Sequence, residues 1–189
     1  MIALTRRMMA AFCGALLLAA CASTEPDEAT GVSEVDAKAD VALSNLLNES
    51  DTAATLARSA SGILIVPDIV KGGLIVGGAT GNGVLRVGGE SVAYYNMSAA
   101  SFGFQAGVQT YNQVLMFMNP ESLQQFRDSY GWEAGVEASV AVVQAGASGD
   151  INVSDLLKED VVGFVFGEAG LMAGATIEGS KYTRVGEGS

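Results

Sequence analysis

The sequence contains no histidine and only two cysteines among its 189 residues. Without imidazole, both the usual general base near neutral pH and the commonest metal ligand are missing. Cations are scarce too: ten Lys and Arg stand against twenty-one Asp and Glu, a net charge of −11. A surface of that sign repels DNA, RNA and anionic bilayers at long range, which excludes nucleic acid as a partner. Long apolar runs are equally few. The one at the N-terminus, Met8 to Ala20, is too short to span a bilayer.

That run follows Arg6 and Arg7 and closes on small residues, the layout of a secretory signal. Leu18-Ala19-Ala20-Cys21 resembles a bacterial lipobox. The resemblance implies cleavage before Cys21 and acylation of its thiol and new amino group, and two or more chains make a stable anchor. Ala22 in place of Asp after that cysteine implies sorting to the outer membrane, with the domain on its periplasmic face or exposed at the surface. Both cysteines are then accounted for. Cys13 leaves with residues 1–20 and Cys21 carries lipid, so no thiol remains for a disulfide, a metal or a nucleophile. Loss of Arg6 and Arg7 takes the net charge to −13.

Residues 21–33 read as the acylated cysteine and a short acidic tether, and 34–189 as a single domain with enough chain for a core. From Val35 to Leu47, apolar residues Val35, Ala39, Ala42, Leu43, Leu46 and Leu47 recur at helical spacing, with Asp36, Lys38 and Asp40 opposite. A second helix is expected from an Asp51 N-cap to about Ser59. Beyond Ser61 the period shortens. "GILIV", ending at Pro67, opens a series of short Val-, Ile-, Phe- and Tyr-rich runs near Leu74, Val84, Val92, Phe102 and Val114. Alternation is cleanest in "GVEASVAVVQAG", with Val136, Ala138, Val140 and Val142 on one face. Further strands are expected at Gly146 to Asn152, Val161 to Phe166, Leu171 to Glu178 and Lys181 to Val185. Asn119 and Pro120 mark the start of an inserted helix, and a shorter helix is expected after Ser154. The fold class is α+β: N-terminal helices, then a glycine-rich, mainly antiparallel sheet closed or nearly closed into a barrel.

The stretch "GGLIVGGATGNGVLRVGG" (Gly72 to Gly89) invites a phosphate-loop reading. It fails chemically. Gly78 stands where a Walker loop needs its lysine, and Arg86 takes the place of the third glycine of a dinucleotide fingerprint. Glycines at hairpin turns and close strand crossings explain the pattern better, with Gly88-Gly89 as a two-residue turn. Other chemistry is thin. Glu133 and Glu137, placed on one strand, would sit about 13 Å apart, too far for a carboxylate pair. "DINVSDLLKEDV" begins like an EF-hand but has Asp155 for the required glycine and Val161 for the closing acid. No catalytic residue, cofactor or metal is expected.

Segments taken in order, "VKGGLIVGGATGNGVLR", "AYYNMSAASFGFQAGVQ", "VLMFMN" with "FRDSYGWEAGVEASVAV", and "DVVGFVFGEAGLMAGATIEGSKYTRV", resemble the SYLF or Ysc84-type domain over roughly Ser61 to Val185. The resemblance implies a non-catalytic, lipid-associating module. Candidate lipid- or anion-binding residues are Lys71, Arg86, Lys181, Arg184 and Trp132, and Cys21 is the lipidation site. The expected partner is membrane phospholipid, met through the Cys21 anchor and through the domain. Alternatives are an integral outer-membrane β-barrel or a structural or protein-interaction module of the envelope.

Overall fold

The computed structural model describes residues 28–73, 76–102, 108–144, 152–168, 170–172 and 176–188. The signal segment, Cys21 and the strand expected over Gly146 to Asn152 lie outside these residues, apart from Asn152 itself.

Two helices come first, α1 (Glu28–Glu49) and α2 (Asp51–Ser59). Helix α1 starts within the acidic stretch read as tether and extends seven residues upstream of Val35. The expected apolar stripe is the one it buries: Ala39, Ala42 and Leu46 are covered, with Val35, Leu43 and Leu47 packed beside them. The N-cap of α2 is Ser50 rather than Asp51; its hydroxyl accepts from the Ala53 N–H at 3.2 Å.

Four long strands follow: β1 (Gly62–Gly73), β2 (Val76–Val87), β3 (Glu90–Phe102) and β4 (Val108–Phe117). Strand β1 does not stop at Pro67. A bulge between Val66 and Ile69 absorbs the proline, and Asp68 takes φ 49° with its N–H bonded to Asn112 Oδ1. Gly88 and Gly89, at φ 62° and 91°, make the β2–β3 turn that those two residues predict. Helix α3 (Pro120–Asp128) begins on the expected Asn119 cap. After it come β5 (Gly131–Glu133), β6 (Val140–Val143), α4 (Val153–Leu156), β7 (Val161–Gly167), β8 (Gly170–Leu171) and β9 (Ser180–Glu187).

Two expected strands are shorter than their patterns suggested. In 136–143 the chain first turns at 135–137, where Gly135 has φ 85°, and only Val140–Val143 forms a strand. The turn also corrects the spacing of Glu133 and Glu137: the Glu137 carboxylate accepts from the Glu133 N–H at 2.6 Å, so it serves the backbone. In 171–178 the described residues show strand at Leu171 only, and Ile177 turns into the core.

The strand order is β5-β9-β3-β2-β1-β4-β7-β6, with β8 on β7. Named pairs are antiparallel except β6 with β7. The sheet curls into a half-barrel. Its two edge strands are consecutive in sequence, and the chain between them makes a single bridge, Ala134 to Ala138.

Each face of this sheet has its own core. One cluster draws side chains from every strand of the main path, including Leu64, Leu85, Tyr95, Leu115, Trp132, Val140, Val165 and Tyr182, which makes it the inside of the curl. Helix α3 closes one end of it with Leu123 and Phe126. The second cluster lies on the convex side, where Ile65, Val84, Val114, Phe164 and Phe166 meet α1 and α2. Burial on both faces is why "GILIV" and "VVGFVF" read as unbroken apolar runs. It also fits poorly with a membrane barrel, whose apolar outer band must face lipid and whose lumen is polar.

Candidate functional site

An aromatic group fills the α3 end of the half-barrel. Phe126 lies 4.7 Å from Tyr95 and from Phe117, 5.4 Å from Trp132 and 6.2 Å from Tyr182, ring centre to ring centre. Such tilted and edge-on contacts add to the area each ring buries. Deeper in, the Tyr182 hydroxyl donates to Gln113 Oε1 at 2.9 Å with both residues covered, and burial pushes its pKa far up. Trp132, 1% exposed, belongs to this group. It cannot meet lipid at the surface, which corrects its place among the contact candidates.

The four cationic candidates do not converge. In the antiparallel register Lys71 stands opposite Ala79, a residue of the inner core, so it points into the concave face; Arg184 stands opposite Tyr95 and does likewise. Arg86 is on the convex side, under α1, and Lys181, next to the inward-facing Tyr182, points out. Lys71 and Arg184 are also separated along the strands: the Lys71 row continues through Ala79 and Ala99 to Ser180, four residues before Arg184.

Arg86 is committed to structure. Its guanidinium pairs with Asp40 and, at 3.5 Å, with Asp36 of α1. Asp36 also accepts from the Ser91 hydroxyl at 2.7 Å and the Tyr94 hydroxyl at 2.6 Å. Burial alone would raise the Asp36 pKa, but those hydroxyls and Arg86 together hold it below 3.8. This network fastens α1 across β2 and β3. On the same convex side, grooves of about 370 and 460 Å³ flank α1 and share Glu34, Lys38 and Asp68. Lys38 is engaged there by Glu34 at 2.8 Å and Asp68 at 3.4 Å.

Arg86 and Arg184 each keep a buried Nε without a partner among the described residues, and Arg184 is the one of the two that faces the concave side. Its Nη1 reaches Glu187 at 3.3 Å, yet its Nε, and the Tyr95 hydroxyl beside it, are buried without a partner among the described residues. No aligned hydrogen bond joins the two. Tyr95 is 1% exposed, and burial raises its pKa against the opposing influence of Arg184 and Arg127. Arg127 follows Phe126 in the last turn of α3, where a cation also suits the helix dipole. The basic residues could be read from the sequence; the pairing of Arg184 with Tyr95 depends on a bulge between Tyr94 and Tyr95 that no residue pattern announced.

No curated protein matches the chain. Residues 98–187, from within β3 to the end of β9, match the family model Ysc84, described as "Las17-binding protein actin regulator". A match of this kind supports a lipid-associating or protein-interaction module. The family that residues 98–187 of this chain match is thus the Ysc84-type, or SYLF, domain family.

Proposed function

We propose that this is a lipid-anchored protein of a bacterial envelope, acylated at Cys21, whose SYLF-type domain associates with membrane lipid without catalysis. The family match over residues 98–187 is the observation that carries the reading. The fold supports one mode of it. Rings and aliphatic side chains occupy the inside of the curl, so lipid is met at the surface and is not enclosed as in a carrier barrel. No described helix is long and apolar enough to cross a membrane. The lipobox-like Leu18-Ala19-Ala20-Cys21 supplies the attachment, and a surface with twice as many acids as bases gives no long-range attraction to anionic lipid.

Two measurements test this. Cys21→Ser should move the protein from the membrane fraction to the soluble one; retention in membranes contradicts the anchor. A chain beginning at Ala22 should co-sediment with phospholipid vesicles. Salt distinguishes the contact: at 1 M the Debye length falls to about 3 Å, which weakens ionic binding and leaves apolar contact intact. Failure to bind phospholipid at any salt removes lipid association. The second reading, a protein-interaction module, is favoured by the family description, which names a protein partner. Crosslinking in the intact envelope would then capture one.

A further inference from the structure

The α3 end of the half-barrel holds two hydrogen-bond donors that the fold leaves unused, Arg184 Nε–H and the Tyr95 hydroxyl. Leaving a buried donor unpaired costs about 1–3 kcal/mol, and native proteins seldom do so without a reason. The two groups project from directly opposed positions on β9 and β3, so both edge the same small space. What they lack is an acceptor. An oxyanion has several lone pairs and can take an N–H and an O–H together, and charge-assisted bonds of this type are the strong ones. Arg127, exposed in the last turn of α3, adds a second guanidinium from a separate element, near enough to oppose the rise in the Tyr95 pKa.

One carboxylate is already present. Glu187 lies three residues along β9 and reaches only Nη1 of Arg184, at 3.3 Å; its side chain is 73% exposed and free to swing away. The Arg184 guanidinium, with the exposed Arg127 close enough to act on the Tyr95 hydroxyl, thus faces one mobile carboxylate.

We propose that Arg184, Arg127 and Tyr95 form a binding site for a phosphate group at the α3 end of the half-barrel, with Glu187 as the counter-ion that phosphate displaces. The guanidinium fork matches phosphate oxygens, and the tyrosine hydroxyl fixes one of them. The phosphate is either free or carried by a lipid headgroup. Only the second source rests on the lipid-association reading above.

The full chain is titrated with inorganic phosphate by calorimetry, and co-sedimented with vesicles of phosphatidylglycerol and with vesicles of a galactolipid that lacks phosphate. Tyr95→Phe keeps the ring and should weaken phosphate-dependent binding at least about tenfold, equivalent to 1.4 kcal/mol. Arg184→Gln should abolish it, and Glu187→Gln should tighten it. Unchanged emission from Trp132, the only tryptophan, shows that each variant is folded; if Arg184→Gln is not, Tyr95→Phe and Glu187→Gln decide. Free phosphate bound with these sensitivities, while vesicles are ignored, upholds the site and removes lipid association. Phosphatidylglycerol bound with the same sensitivities, and galactolipid ignored, upholds both. Vesicle or phosphate binding that Tyr95→Phe and Glu187→Gln leave unchanged overturns the site, and lipid association then stands or falls on the vesicles alone. No binding of phosphate or phosphatidylglycerol overturns both.

Discussion

Substitutions in the Asp36 network should separate the contacts that hold α1 on the sheet from those that merely lie near it. Asp36 is 27% exposed and accepts two short hydroxyl bonds besides facing Arg86; Asp40 is 62% exposed and meets only the Arg86 guanidinium. A hydrogen bond to a charged group contributes about 1.5–3 kcal/mol net, reduced here by partial exposure, so Asp36→Ala should cost about 2–4 kcal/mol in all. An exposed ion pair contributes about 0.2–1 kcal/mol, which sets the cost of Asp40→Ala. Urea unfolding followed by Trp132 emission measures both, and hydrogen exchange along α1 tests for local release of the helix. Equal costs for the two substitutions would refute the reasoning. The pH dependence is a second check. Because the folded pKa of Asp36 is lowered, the stability its charge confers is complete above the unfolded value of 3.8 and is lost as pH falls through the lower folded value. The stability gap between the natural protein and Asp36→Asn should therefore be flat above about pH 5 and close below pH 3.8.

Gly83→Ala should destabilise the sheet by about 1–3 kcal/mol, because the new methyl would lie 2.6 Å from the Ile65 carbonyl oxygen; an unchanged urea midpoint argues against that crowding. Phe126→Ala removes the ring at the centre of the aromatic group and should cost about 3–5 kcal/mol with a red shift of Trp132 emission. Asn119→Ala loses the α3 cap, in which Oδ1 accepts from the Ser122 N–H at 2.8 Å and Nδ2 donates to Asp160 at 2.8 Å. That change should cost about 1 kcal/mol by thermal denaturation, and Asn119→Ser, which restores a cap acceptor without a charge beside Asp160, should recover part of it.

Local grammar carried most of the fold. The α1 stripe, the Asn119-Pro120 start and the Gly88-Gly89 turn are short-range signals, and each sits where its chemistry requires. Long-range facts were less readable. Pro67 argued for a strand end, but a bulge next to it lets β1 continue; alternation over Val136 to Val143 continued through a turn because Gly135 reverses the chain where the side-chain pattern is silent. The candidate site shows the same division. Charge picked out Lys71, Arg86, Lys181 and Arg184, but the face each occupies depends on strand register, and register put Arg86 under α1 and Arg184 against Tyr95.

The strand order has a consequence for how the chain reaches this fold. Strands β1 and β2 are inserted between β3 and β4, and the last strand, β9, is inserted between β3 and β5. The β1–β2 and β2–β3 pairs are local hairpins, but β1–β4, β3–β9 and β5–β9 must close long stretches of chain before they return any energy, so this contact order should make folding slow. Until Ser180–Glu187 has been made, β3 and β5 lack the neighbour they share, and Trp132 and Phe126 lack Tyr182. A fragment limited to residues 98–187 meets the converse difficulty: without the β1–β2 hairpin, β4 and what remains of β3 are unpaired edges open to aggregation. The segment that matches the family model thus lacks the strands that flank β3 and β4, and a nascent chain lacks the β9 pairings until its final strand arrives.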